Sequence, residues 1–124
     1  MYKLSDAINE LMLSMHAQQK EYNSRQLPNT IISAVSKALS LEYDDVVSHC
    51  RKRELVDARH IISFILAKNS ELNLREIGEL LGGRDHTTVI ASVNAYQLFI
   101  DSRDKKFIEK IELVKAELKE GLCV

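Results

Sequence analysis

The chain has 124 residues, 45% of them hydrophobic and 28% charged, with 17 Lys and Arg against 18 Asp and Glu and a net charge of −1. This suits one globular domain that buries its own core without a disulfide or metal staple, and it excludes a uniformly basic, generally DNA-avid protein. One Pro, four Gly and no Trp favour long helices over many short strands.

In chain order, residues 1–20 predict a helix, because Leu4, Ile8, Leu11, Met12 and Met15 form one apolar stripe. Asp6, Asn9, Glu10 and His16 interrupt the segment, so it reads as neither signal peptide nor membrane span. Residues 21–29 are polar, contain Pro28 and read as a linker. Thr30 is an N-cap candidate for a helix to about Ser40, with Ile31, Ile32, Val35, Ala38 and Leu39 on its buried face. Asp44 and Asp45 open a short turn through Val46 and Val47.

A long helix is expected from Arg53 to Lys68, with Leu55, Val56, Arg59, Ile62, Phe64, Ile65 and Leu66 on its buried face. Asn73 with Glu76 three residues on predicts a capping box for a helix to Leu81. Gly82 and Gly83 end it, since glycine takes positive φ without steric cost. The next helix starts at Asp85-His86-Thr87-Thr88 and runs to about Ile100, with Val89, Val93 and either Ala95 or Tyr96 facing the core. Residues 102–120 form a last helix with Phe107, Ile108, Ile111, Val114 and Leu118 on one side. The fold class is all-α, and the chain divides into residues 1–27, 28–101 and 102–124. Each terminal stripe is read as packing on the same domain, as a homodimer contact or as a surface for another partner.

Two helices around a short glycine turn form a helix-turn-helix pattern, whose second helix presents its first residues to base edges in the major groove. Asp85 can accept from cytosine N4 or adenine N6, His86 can donate or accept, and Thr87 and Thr88 offer a methyl and a hydroxyl. The basic residues cluster at Arg51-Lys52-Arg53, whereas no Lys, Arg, Asp or Glu occurs between His86 and Ile100. Cys50 and Cys123 lack a CxxC partner and read as free thiols of a reducing cytoplasm. The four histidines lack metal-ligand spacing, so no cofactor or metal is expected, and no constellation supports an enzyme.

The run Leu74-Arg75-Glu76-Ile77-Gly78-Glu79-Leu80-Leu81-Gly82-Gly83-Arg84-Asp85-His86-Thr87-Thr88-Val89-Ile90 resembles the signature of the C-terminal DNA-binding domain of the bacterial replication initiator DnaA. The segment from Ser48 to Ile61 resembles that family's basic loop and the start of its long helix, and the similarity spans about Pro28 to Ile100. The resemblance implies a Trp-repressor-like helix-turn-helix, with added helices at both ends of this chain, that binds double-stranded DNA at AT-rich DnaA boxes. It further implies major-groove reading by Asp85, His86 and Thr87, a base or phosphate contact from Thr88, and insertion of Arg51 into the adjacent minor groove. Such a groove concentrates negative potential when it is narrow.

Lys52, Arg53, Arg59 and Arg84 correspond to phosphate or positioning contacts, and Lys68 and Arg75 are assigned to the same class. A second reading of Arg59 pairs it with Asp57, Glu54 or another acid inside the fold. The chain departs from the family at Asn94 and Ala95, where basic residues are usual, at Arg75, where proline is frequent, and at Ala67, with Lys68 one step on. No G-x-x-x-x-G-K-[ST] loop occurs, so the chain reads as a free-standing, nucleoid-associated domain without the ATPase module, acting on replication or transcription.

Overall fold

The computed structural model describes residues 26–122, and among these there are six helices and no strand. α1 spans Gln26–Ala38, α2 Tyr43–Val46, α3 Arg53–Asn69, α4 Leu74–Leu80, α5 His86–Asp101 and α6 Lys105–Leu122. The stripe from Leu4 to Met15 and Cys123 lie outside the described residues.

α3 is the central post. Ile61 through Leu66 are buried without a break, so neighbours cover it on almost every side. α1, α2, α4 and α5 all pack on it. Ile31, Ile32 and Val35 of α1, Ile77 of α4, and Val89 and Tyr96 of α5 reach the same core. Tyr96 resolves the choice left open with Ala95: its ring stacks on Phe64 at 3.9 Å and meets Phe107 edge-on at 5.5 Å. Val93 and Ala95 are half-buried.

Two boundaries differ from the sequence reading. α1 begins at Gln26, so Pro28 lies in its first turn rather than in a linker, where the missing N–H costs nothing and the fixed φ suits the helix. Thr30 is therefore inside α1 and does not cap it. α6 begins at Lys105, after a turn in which the Asp104 carboxylate accepts from the Phe107 N–H at 3.0 Å.

The apolar stripe of α6 is spent within its own chain. Phe107, Ile111, Val114 and Leu118 are all buried, and the helix packs chiefly along α1. Lys37 pairs with Glu117 at 3.4 Å across that contact. Of the three readings of this stripe, packing on the same domain is the one realised. Ile111→Ala is expected to lower unfolding free energy by about 2–5 kcal/mol, read as a fall in denaturant midpoint at unchanged slope. A change below about 0.5 kcal/mol would mean α6 is a peripheral appendage.

Candidate nucleic-acid interface

The start of α5 is built by one carboxylate. Asp85 is the N-cap, and its Oδ1 accepts from the Thr87 N–H at 2.8 Å and the Thr87 hydroxyl at 2.9 Å. Nδ1 of His86 lies 3.4 Å from the same oxygen. These bonds favour the ionised form and pull the Asp85 carboxyl below its ordinary pKa, the Thr87 backbone N–H having the largest effect. Oδ2 makes none of these contacts and remains a free acceptor. Asp85, His86, Thr87 and Thr88 are all exposed, while Val89 behind them is buried. The helix thus presents a polar tip and anchors its body in the core.

The turn before α5 is set by glycine for two different reasons. Gly82 and Gly83 have φ of 94° and 77°. A Cβ on Gly82 would also overlap the Val47 carbonyl oxygen, whereas one on Gly83 would meet nothing. Close approach therefore seats the turn directly on the loop after α2. The Arg84 N–H returns to the Gly78 carbonyl at 2.8 Å and closes the end of α4.

The basic loop is held from beneath by a buried guanidinium. Arg59, 5% exposed, donates from Nε to the Val46 carbonyl at 2.7 Å and from Nη1 to the Cys50 carbonyl at 2.6 Å. Its Nη2 donates to the carbonyls of Asp45 at 3.0 Å and Ser48 at 2.8 Å. Arg84 donates to the same Ser48 carbonyl at 2.7 Å and to the Leu81 carbonyl. One carbonyl thereby ties the loop of residues 47–52 to the glycine turn. Burial lowers the pKa of both guanidinium groups, with the charge of Arg84 adding to the effect on Arg59. Arginine nevertheless stays charged at neutral pH.

Between loop and helix runs a groove of about 640 Å³ lined by His49, Arg51, Val56, Arg59, His60, Arg84, Thr88 and Ser92. It brings Arg51 and Thr88 to one surface. A second groove is lined by Ala67, Leu72, Asn73, Leu74, Arg75 and His86, so Arg75 flanks the helix tip beside His86. Lys52 is exposed in the loop, and Lys68 is exposed at the end of α3 over the Phe64 ring at 5.9 Å.

Two assignments change. Arg59 is not placed for a phosphate contact, because four of its five N–H groups are committed to carbonyls inside the fold. Nor does it pair with Asp57 or Glu54, as the second reading had it. Arg84 is likewise engaged with carbonyls and half-buried, and acts on the position of the loop. Sequence reasoning missed Ser48, whose role is carried by its backbone carbonyl and so leaves no side-chain signal. It also missed His49, which the Arg59-held loop brings to the groove, and Ser92, which the packing of α3 against α5 places there.

Helices α4 and α5, joined at Gly82-Gly83 with a capped and exposed second-helix start, make this a helix-turn-helix protein. Residues 28–95 match the family model described as bacterial dnaA protein helix-turn-helix, and the chain belongs to that family. It is 37% identical over 87 residues to the chromosomal replication initiator protein DnaA of Ureaplasma parvum, covering 70% of this chain and 19% of that protein. The corresponding protein of Borreliella burgdorferi is 31% identical over 87 residues, covering 70% and 18%. That of Synechocystis sp. is 38% identical over 65 residues, covering 52% and 14%. The chain thus spans less than a fifth of the length of these relatives.

The two glycines offer a direct check. Gly83→Ala is expected to cost only the positive-φ penalty, about 1–2 kcal/mol. Gly82→Ala adds overlap with the loop backbone and should cost about 2–3 kcal/mol more. Equal losses in denaturant melts would show that the turn does not rest on Val47.

His60 gives a pH signature. Burial, the largest influence, lowers its pKa from 6.5, and its Nδ1 is buried without a hydrogen-bond partner. The neutral form is therefore favoured in the fold. Its contribution to stability is present above pH 6.5 and is lost as pH falls through the lowered value. Unfolding measured from pH 7 to 5 should show this decline, and His60→Gln should flatten it. An unchanged slope in that variant would assign the acid sensitivity elsewhere.

Proposed function

We propose that this chain binds double-stranded DNA sequence-specifically at DnaA-box-like sites, in the control of replication or transcription. The start of α5 reads the major groove through Asp85, His86, Thr87 and Thr88, and the loop carries Arg51 into the adjacent minor groove. The observation that carries this reading is the Ser48 carbonyl shared by Arg59 and Arg84, which fixes the two readers on one surface. Lys52, Arg53 and Arg75 serve as backbone contacts, with Lys68 exposed at the end of α3. That the relatives are chromosomal replication initiator proteins agrees with this reading. The reading needs no metal or nucleotide, and no described helix is long and apolar enough to cross a membrane.

A second reading, a protein-interaction module with little DNA affinity, draws on the later turns of α5. Leu98 is 66% exposed and Ile90 40% exposed, on a helix that carries no charge before Asp101. Fluorescence anisotropy at low salt with duplexes bearing a DnaA box or its shuffled sequence separates the two. A box-dependent signal supports DNA reading; its absence in folded protein supports the alternative.

Within the DNA reading, Asp85→Asn keeps the helix cap, since the two side chains cap equally well. It is expected to cost about 1–3 kcal/mol of discrimination at particular base pairs. Equal losses on box and shuffled DNA would contradict a base contact. Arg51→Ala should weaken binding more with AT-rich than with GC-rich flanks. Equal weakening on both would remove Arg51 from the minor groove.

A further inference from the structure

Asp57 is a carboxylate 4% exposed in the first turns of α3, and a charge so placed must be paired. Its two oxygens take different partners. Oδ1 accepts from Nε of Arg53 at 3.3 Å, and Oδ2 accepts from Nζ of Lys110 in α6 at 2.6 Å. Arg53, whose side chain is 71% exposed, is the last residue of the basic cluster and the first of α3. Its guanidinium lies 5.6 Å from the centroid of the Phe99 ring, which stacks at 4.7 Å on Phe107 of α6. α6 therefore supports Arg53 twice, from beneath through Phe107 and Phe99 and from the side through Lys110 and Asp57. The matched family model ends at residue 95, before α6 begins.

From this arrangement we infer that Lys110 is a positioning residue for DNA binding: by occupying Oδ2 of Asp57 it confines Arg53 to a one-point contact through Nε and leaves both terminal nitrogens of Arg53 free for a phosphate. A guanidinium and a carboxylate pair two-pronged when nothing else holds the carboxylate. Without the ammonium, Asp57 is a buried anion with half its acceptors open, and Arg53 is the cation beside it. The guanidinium then turns inward to satisfy both oxygens and gives up a terminal nitrogen. α6 thus adjusts the charge that the basic loop offers to DNA without touching DNA. This inference rests on the DNA-binding reading above.

The test compares the full chain with Lys110→Met, Lys110→Arg and the double variant Asp57→Asn/Lys110→Met. Binding to a DnaA-box duplex is followed against salt. Loss of one phosphate contact reduces the slope of log affinity on log salt by about one unit. Lys110→Met should show that reduction, as Arg53→Ala does, and the two together should lose no more than either alone. Lys110→Arg should keep the full slope. The double variant should regain it, because no buried carboxylate remains to capture Arg53, and its neutral pair guards against simple misfolding.

A full slope in folded Lys110→Met, or a reduced slope in the double variant, overturns the inference. The second readout needs no DNA: nitrogen-15 NMR of the Arg53 guanidinium in the free protein. In Lys110→Met its terminal N–H protons should exchange more slowly than in the unaltered chain, and unchanged exchange overturns the inference. If the unaltered chain shows no box-dependent binding, the DNA reading itself fails, while the NMR comparison still decides whether Lys110 governs Arg53.

Discussion

The burial of the Arg59 guanidinium is the interaction on which the candidate interface depends. The short helix α2 leaves carbonyls without partners at its end, and the chain between α2 and α3 has no regular structure to bond to. Four carbonyls of this stretch, from Asp45, Val46, Ser48 and Cys50, converge on one side chain that rises from the middle of α3. A loop that would otherwise sample many conformations is thereby shaped around a rigid fork. The choice of carbonyls over a carboxylate also matters. Carbonyl dipoles stabilise the cation without cancelling its charge, so positive charge persists directly beneath Arg51 and beside Thr88.

That loop then templates the helix-turn-helix. Val47 offers the surface on which Gly82 sits, and Ser48 accepts from Arg84. Two elements distant in sequence become one body whose spacing is fixed before any ligand arrives. In the proposed complex, such a preorganised pair avoids the cost of ordering a loop and a helix separately. The proposed reading likewise gives α5 its base contacts only at the tip. Asp85 caps the helix with one oxygen and keeps the other free, and the following turns are given to Val89 and Tyr96 in the core.

Elements governed by local rules were legible in the sequence. The Asn73–Glu76 capping box is present with both of its hydrogen bonds, at 2.9 and 3.0 Å. The positive φ at Gly82 and Gly83 was likewise readable, since it follows from the chemistry of a few neighbouring residues. The start of α1 was misplaced because proline signals a break in general yet is welcome in a first turn. What could not be read was whatever depends on distant backbone. Arg59 looked like a phosphate contact or an ion-pair partner because a sequence displays its charge and hides the carbonyls that surround it. Ser48 gave no signal, because a carbonyl is common to every residue.

The near-zero net charge acquires a different meaning once the acids are placed. Asp104 caps α6, Glu76 completes the capping box, Glu117 binds Lys37, and Asp57 is held by Lys110 and Arg53. Two of these carboxylates cap helix starts and two tie one helix to another. Arg51, Lys52, Arg59 and Arg84 have no carboxylate partner within salt-bridge distance among the described residues. A balanced total is therefore compatible with a local concentration of bases, with Arg51, Lys52, Arg59 and Arg84 gathered at the loop and the glycine turn while acids such as Glu71, Glu109 and Glu112 stay exposed elsewhere. The uncharged later turns of α5 place few phosphate contacts there. In the proposed complex the balance shifts from salt-sensitive backbone attraction towards hydrogen bonds to base edges, which favours discrimination between sequences over general affinity for DNA.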